Sequence, residues 1–383
     1  MGGLAETLQA HVDDGSIPGA VALVAGGGEP EVAAVGSVDT DGTAPLQRDA
    51  IFRVASMTKM VTAAVTMMLV ENGSIDLDSP VAQWCPELGS PSVVCTPQSP
   101  VDDVLPARRA ITVEDLLTFR AGWGFPAQFD LPAVSLLFSE LKQGSAMPQP
   151  PPEPDRWMAT LAGIPLLYQP GEAWLYNVCS DILGVLLARA TGTSLPNLFA
   201  ERVFEPLGMV DSGFTVPAGK LDRVPSFYRP NPDGGLDLAD PPAGEWSTMP
   251  AFPSGSGGLV TTLDDWYAFA RMLLGQGTFD GSRLLTPESV QAMTTNQVTA
   301  AQSAAAGLFL EGQGWGYGGS VDLDRAHVWN VPGRYGWVGG TGTAAYVTPS
   351  SGRVEILMTQ REMTGPSSTD LLHDFWGYAA QRH

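Results

Sequence analysis

The sequence has few cysteines and histidines, and it has no long apolar run. Its 383 residues include three cysteines, a number too small and too odd for a disulfide framework. The four histidines (His11, His327, His373 and His383) are scattered without metal-ligand spacing, so we predict neither a metal nor a cofactor. The longest nearly apolar run, residues 60–70, is far short of the ~20 residues that a membrane span needs.

Basic side chains are also scarce. The chain has 20 lysines and arginines against 41 aspartates and glutamates, which gives a formal net charge of -21 at pH 7. Nucleic acid and anionic membrane surfaces would repel such a chain, so we predict neither as a partner. Residues 1–16 have no basic run and no apolar core, which argues against a signal peptide and favours a cytoplasmic location.

Hydrophobic residues make up 44% of the chain, so a sizeable core can form, and the length predicts two domains. Short patterns typical of strands lie near the two ends, at residues 19–25, 31–36, 344–348 and 353–359. Between them the apolar spacing is mostly helical. We therefore predict an α/β fold, an antiparallel sheet flanked by helices, in which residues 1–62 and 212–383 form one discontinuous domain. Residues 63–211 would form a mostly helical second domain, with the active site in the cleft between the two.

Among the residues present, the few lysines are the most informative about catalytic chemistry. The chain has 17 arginines and only three lysines, Lys59, Lys142 and Lys220. Arginine keeps its proton in proteins, whereas a lysine can lose it and act as a base. Two of the lysines follow a serine by three positions, in the pairs Ser56–Lys59 and Ser139–Lys142.

Sequence context separates the two pairs. Ser56 ends a strand-like run and opens a helix, where its N–H is free of intrahelical bonding, and Lys59 lies one turn along on the same face. The apolar setting would lower the pKa of Lys59 towards that of a neutral base. Lys142 precedes a loop rich in Gly and Pro and is most simply a solvated charge. By position alone, an N-cap serine with an incidental lysine explains Ser56 equally well.

The segment from Phe52 to Lys59 (FRVASMTK) resembles the nucleophile region of the serine β-lactamase superfamily. The resemblance is greatest to class C enzymes, D,D-peptidases and above all the family VIII carboxylesterases, whose activity rests on this S-x-x-K motif. Further matching segments occur in the family's order at residues 114–122, 170–176, 255–262 and 336–342. The resemblance implies a β-lactamase/D,D-peptidase-like fold with Ser56 as nucleophile and Lys59 as its base.

Two departures from the family pattern bear on the substrate. Tyr176 matches the tyrosine of a Y-x-N triplet, which implies that it shares the serine's proton with Lys59, but Val178 stands where the asparagine would be. Trp337 stands where the lysine of a K-T-G strand motif would receive a carboxylate, and an indole offers one N–H and no charge. Arg334 lies three residues upstream, but strand geometry would aim its side chain elsewhere.

The resemblance also implies an oxyanion hole formed by the N–H groups of Ser56 and Gly340. Glycines at 339 and 340 would let an ester carbonyl approach the strand closely. Several aromatic residues flank the motifs, and we predict that Trp123, Phe125 and Trp337 contact the substrate together with Gly339.

These features predict a serine carboxylesterase that cleaves small or short-chain esters through an acyl-enzyme, with acyltransferase as a side activity. A small-molecule ester is the predicted partner. A β-lactamase or D,D-peptidase is the second hypothesis, which the lost K-T-G lysine opposes. A ligand-sensing module without turnover is the third, which the intact Ser56, Lys59 and Tyr176 oppose.

Overall fold

The computed structural model describes residues 3–144 and 146–382, so His383 lies outside the described part. Within it the strands are β1 (Gly19–Ala25), β2 (Glu31–Gly36), β3 (Phe52–Arg53), β4 (Ser92–Val94), β5 (Val104–Pro106), β6 (Phe227–Pro230), β7 (Leu236–Asp240), β8 (Val260–Thr261), β9 (Thr278–Phe279), β10 (Ser282–Arg283), β11 (Gly314–Trp315), β12 (Ser320–Val321), β13 (Tyr335–Gly339), β14 (Thr343–Thr348) and β15 (Arg353–Thr359).

The α-helices of the same residues are α1 (Leu4–Asp13), α2 (Thr58–Glu71), α3 (Val113–Leu117), α4 (Pro132–Ser139), α5 (Pro154–Ala162), α6 (Val178–Thr191), α7 (Leu195–Phe199), α8 (Glu205–Leu207), α9 (Leu263–Leu274), α10 (Pro287–Met293), α11 (Ala300–Ala305), α12 (Gly307–Leu310) and α13 (Asp370–Ala380). Short 3₁₀ turns precede or connect several of them, and the one at Ala55–Met57 leads directly into α2.

A seven-stranded antiparallel sheet forms the centre of the molecule, in the order β11-β12-β13-β14-β15-β1-β2. Strand β1 from the start of the chain pairs with β15 from its end, so the two ends of the sequence share one sheet. This arrangement confirms the predicted α/β class and its antiparallel sheet. The two strands predicted near the start have the predicted bounds.

Both faces of the sheet are covered by other elements. Successive side chains of a strand point to opposite faces, so each strand contributes to two cores. In β1, Ala20 and Ala22 face a core that includes α1 and α13. Val21 and Leu23, the alternate positions, face the larger core on the other side. Helix α13 packs with one apolar stripe, which includes Phe375 and Trp376, as its 3.6-residue spacing predicts.

Helix α2 lies inside the larger core. It is apolar nearly all round, and its residues from Thr58 to Leu69 are buried, as expected for a helix with no solvent face. The helix crosses the predicted boundary at 62/63, and the same core continues into the middle helices. The middle region also holds the β4–β5 hairpin. The domain boundaries stay a prediction.

Among the described residues, no single helix combines the length and apolar composition that crossing a membrane requires. One pair meets the criterion jointly, α6 with Leu195–Leu207, but the two parts meet at a bend of 85°.

Candidate active site

Ser56 lies in a tight turn between a strand and a buried helix. Strand β3 pairs with β8, and the chain then turns through Ala55–Met57 into α2. Ala55 has φ 41°, a left-handed conformation that costs energy for a residue with a Cβ. Two threonines hold the turn in place: Thr341 Oγ1 donates to the carbonyl of Arg53 (2.6 Å), and Thr343 Oγ1 donates to that of Val54 (3.3 Å).

The hydroxyl of Ser56 contacts both of the groups that the sequence pairs with it. Lys59 Nζ lies 2.9 Å from Ser56 Oγ, and the Tyr176 hydroxyl donates to the same oxygen at 2.8 Å. Lys59 also donates to the carbonyl of Ser256 at 2.7 Å and is completely buried. The three residues therefore meet at one oxygen, although 120 positions separate Ser56 from Tyr176.

Burial sets the protonation of the two partners in opposite ways. Loss of hydration lowers the pKa of Lys59 to about 7, against the charge of Asp181, which raises it. A substantial share of Lys59 is therefore a neutral amine near pH 7, with a lone pair that can accept a proton. Burial raises the pKa of Tyr176 to about 12, against its hydrogen bonds with Ser56 and Trp337. The phenol therefore keeps its proton at neutral pH, while the amine can act as the base.

The indole of Trp337 is engaged by the tyrosine. Trp337 Nε1 donates to the Tyr176 hydroxyl at 2.8 Å, and the rings lie 5.7 Å apart. Since this is the only donor of the indole, none remains for a substrate carboxylate. Arg334 does not replace the missing cation. Its side chain is 1% exposed and pairs with Glu355 (2.8 Å) and Asp322 (3.7 Å).

The two predicted oxyanion residues both line the same cavity. Ser56 lies at the start of the helical segment, where an N–H precedes the intrahelical ladder. A Cβ built at Gly340 would meet nothing within 4 Å, so this position is open. At Gly339 a Cβ would clash with the carbonyl of Val54 and with Thr343. The close approach at Gly339 is therefore to the nucleophile turn, and Gly339 is not among the residues that line the cavity.

The cavity has a volume of about 460 Å³ and opens over Ser56. Phe125 and Trp337, two of the residues that we predict to contact the substrate, line it. Trp123 is not among the residues that line it. That indole is 2% exposed and donates to the carbonyl of Ile164 at 2.8 Å, so it belongs to the core. Proximity to a motif in sequence did not distinguish a core aromatic residue from one at the site.

Sequence reasoning missed Asp181. This carboxylate is 2% exposed and accepts hydrogen bonds from Gln143 (2.8 Å), Ser254 (2.6 Å) and the N–H of Ser256 (3.0 Å). It thereby fixes the loop whose carbonyl receives a hydrogen bond from Lys59. One signal was available in the sequence, since Asp181 is the only acidic residue in the apolar run of α6. Polar residues buried in such a run require partners.

The second serine–lysine pair has a different geometry. Lys142 Nζ donates to the main-chain carbonyl of Ser139 at 2.6 Å, and the hydroxyl of Ser139 donates to Glu140 at 3.2 Å. Lys142 is exposed at the entrance of the cavity. In the described residues, no group of three or more His, Cys, Asp or Glu side chains could hold a metal ion.

Comparison with known proteins relates nearly all of the chain to one family. The family model described as Beta-lactamase matches residues 4–373. An uncharacterized protein of Mycobacterium tuberculosis is 38% identical over 340 residues, covering 86% of this chain and 82% of that protein. Lovastatin esterase of Penicillium rubens is 31% identical over 359 residues (87% and 86%). Among solved structures, "EstCE1, a hydrolase with promiscuous acyltransferase activity" superposes with a TM-score of 0.82 at 22% identity, over 98% of this chain and 97% of that one.

Proposed function

This chain belongs to the beta-lactamase family, and within that family we propose that it is a serine carboxylesterase with acyltransferase side activity. One observation carries the proposal: Lys59 and Tyr176 meet at the hydroxyl of Ser56. Beside them, Trp337 stands where the K-T-G lysine would be, and its single N–H is given to Tyr176. The similarity to lovastatin esterase supports an ester substrate. Small or short-chain esters are the substrates that we propose, and the cavity of about 460 Å³ supports this size.

In the first step, Ser56 Oγ attacks the ester carbonyl while the neutral amine of Lys59 takes the serine proton. A bond forms between Oγ and the carbonyl carbon, and the electron pair of the C=O moves to its oxygen. The N–H groups of Ser56 and Gly340 would stabilise that oxyanion. The carbonyl of Ser256 holds Lys59 in place for the transfer, because it accepts one of the N–H groups of the amine.

In the second step, the tetrahedral adduct collapses and the bond to the leaving alcohol breaks. The Tyr176 hydroxyl gives its proton to the alcohol oxygen and regains one from the Lys59 ammonium, so the amine is neutral again. The 2.8 Å contact with Trp337 supports this role, because the indole N–H keeps the phenol oriented towards Ser56.

In the third step, the oxygen of an acceptor attacks the acyl carbon, and its proton passes through Tyr176 to the neutral amine of Lys59. The bond to Ser56 Oγ then breaks, and the Lys59 ammonium returns a proton to the serine oxygen. Attack by water gives hydrolysis, whereas attack by a second alcohol transfers the acyl group and leaves the same free enzyme. The cavity is lined largely by apolar side chains, among them Phe125, Phe252 and Met363, so an apolar alcohol can compete with water there.

The β-lactamase or D,D-peptidase hypothesis is weaker on two observations. Val178 is fully buried and offers no amide to a substrate, and the single N–H of Trp337 is engaged by Tyr176. A substrate carboxylate would therefore lose a charge-assisted partner that contributes about 1.5–3 kcal/mol. A ligand-sensing module without turnover is opposed by the strained turn and the low pKa of Lys59, features that serve chemistry rather than binding.

Parallel assays test the proposal. Wild-type protein should turn over p-nitrophenyl butyrate far faster than a chromogenic cephalosporin, and Ser56→Ala protein should turn over neither. Efficient cephalosporin turnover with negligible ester turnover would overturn the proposal in favour of a β-lactamase. Tight binding of esters without turnover of either substrate would favour the sensing module.

A further inference from the structure

Four phenylalanines form one side of the cavity, and we call them the aromatic wall: Phe125, Phe129, Phe138 and Phe309. The rings of Phe125 and Phe138 stack at 4.7 Å with 6° between their planes. Phe129 meets Phe125, Phe138 and Phe309 edge-on, at 6.1, 6.3 and 6.1 Å. These rings come from a loop, α4 and α12, so distant parts of the chain contribute to one surface.

The aromatic wall contacts Tyr176 through both a ring and the main chain. Phe309 stacks on the Tyr176 ring at 4.7 Å. The main chain of Phe125 pairs with that of Tyr176 through two hydrogen bonds of 2.9 and 3.1 Å. In the proposed function Tyr176 protonates the leaving alcohol, so the alcohol oxygen must lie within hydrogen-bond reach of its hydroxyl. The rest of the alcohol then extends along the aromatic wall.

Two rings of the wall remain partly open to solvent. Phe129 is 38% exposed and Phe138 is 37% exposed, at the entrance of the cavity. The backbone beside them accommodates this arrangement. Gly144 has φ 85°, and a Cβ there would lie 2.8 Å from the Phe138 ring. An apolar ligand that covers these rings would remove apolar surface from water, which is favourable in proportion to the area covered.

The charges around the wall select between two possible occupants. Aromatic surfaces of this kind bind either a flat apolar ring or a quaternary ammonium ion. The exposed ammonium of Lys142 lines the same cavity and would repel a cation. The acidic groups of the lining are already engaged, Asp181 by three hydrogen bonds and Glu362 by Arg229 at 2.6 Å.

We propose that the aromatic wall is the subsite for the leaving alcohol and that it selects esters of aromatic alcohols. This inference rests on the proposed esterase function, because it assigns one side of the reacting ester to one side of the cavity. It goes further by naming the class of alcohol and the rings that recognise it.

A matched series of acetate esters tests the selection. Benzyl acetate is compared with cyclohexylmethyl acetate, and acetylcholine with its neutral isostere 3,3-dimethylbutyl acetate. We expect kcat/KM for the benzyl ester to exceed that for the cyclohexylmethyl ester by about threefold to tenfold, the size of one or two ring–ring contacts. The choline ester should be turned over more slowly than its neutral isostere.

Substitutions in the wall should reduce the preference, which is read as the ratio of kcat/KM for the two esters, so that any change in overall rate cancels. Phe129→Leu and Phe309→Leu should each bring the benzyl to cyclohexylmethyl ratio to about twofold or less. Phe279→Leu is the matched control, because Phe279 is a partly buried ring in β9 that does not line the cavity, and it should keep the wild-type ratio.

Each outcome separates this inference from the proposed function. Turnover of all four esters without a preference for the ring would overturn the aromatic subsite and leave the esterase intact. A preference for acetylcholine would overturn the choice of occupant. If no ester is hydrolysed, the subsite is tested by binding instead. The affinities of benzyl acetate and cyclohexylmethyl acetate for Ser56→Ala protein are then compared by saturation-transfer NMR. Tighter binding of benzyl acetate than of cyclohexylmethyl acetate, lost in Phe129→Leu, supports the subsite, and equal binding contradicts it.

Discussion

The chain contains the same spacing, a serine three residues before a lysine, in two very different surroundings. At the start of α2, Lys59 is completely buried and contacts the hydroxyl of Ser56. At the end of α4, Lys142 is exposed and donates to the main-chain carbonyl of Ser139. The hydroxyl of Ser139 is directed to Glu140 instead. The tetrapeptide is the same in spacing, but only the first has the geometry of a nucleophile and its base.

The difference follows from where each pair lies on its helix. At a helix start the residues one turn apart share a face, so the lysine can reach the serine hydroxyl, and the N–H of the serine stays unpaired and available to an oxyanion. At a helix end the carbonyl groups are unpaired, and the ammonium of a lysine there donates a hydrogen bond to one of them. Burial then makes Lys59 able to act as a base, since it lowers the pKa of the amine to about 7.

The largest expected effect separates the two serines. Ser56→Ala should lower ester turnover by more than about 10⁴-fold, because it removes the atom that bonds the acyl group. It should also abolish covalent labelling by a serine-directed phosphonate, measured by intact-protein mass spectrometry. Ser139→Ala should keep both properties. Labelling that persists in Ser56→Ala and disappears in Ser139→Ala would show that the second pair holds the nucleophile.

The next effect separates the two lysines. Lys59→Arg should reduce kcat by about 10²–10⁴-fold, nearly as much as Lys59→Ala, because arginine carries the charge but cannot release its proton. Lys142→Arg keeps its charge and should change kcat by less than about threefold, within the range of an exposed cation. If Lys59→Arg retained most of the wild-type rate, Lys59 would be a positioning charge and not a base.

A smaller effect concerns the surroundings of the first pair. Restoring a cation as Trp337→Lys should raise cephalosporin turnover relative to ester turnover by about tenfold, the value of one charge-assisted hydrogen bond. Trp337→Phe is the control, because it removes the N–H that Tyr176 receives without adding a charge. An increase of equal size in both variants would attribute the change to the tyrosine and not to the cation.

The smallest effect is a shift of the pH profile. Because the charge of Asp181 raises the pKa of Lys59, Asp181→Asn should lower it. In the wild type, kcat/KM should rise as the pH increases through about 7, where the amine becomes neutral. In Asp181→Asn protein this rise should occur at a lower pH. Asp265→Asn, a buried carboxylate at the start of α9, is the control and should leave the rise unmoved. A shift to higher pH in Asp181→Asn would contradict the assigned influence.

Much of this comparison could be predicted from the sequence. Short strand-like patterns located the outer strands, the apolar spacing indicated a mostly helical middle, and the motif order indicated the family. The sequence could not show that Trp123 is a core residue, because a tryptophan beside a motif has the same pattern whether it faces the core or the cavity. It also could not show that Gly339 packs against Val54 or that Asp181 fixes the Ser256 loop. Those contacts join segments that are far apart in the chain.

The protonation state of Lys59 is the central claim, and NMR can measure it directly. Protein labelled with ε-¹³C lysine has three lysine signals, and the one that disappears in Lys59→Arg reports on Lys59. This signal should titrate with a midpoint at about pH 7 in the folded wild-type protein. A Lys59 signal that stays in its protonated position up to pH 9 would contradict the account, because a charged ammonium could not take the proton of Ser56.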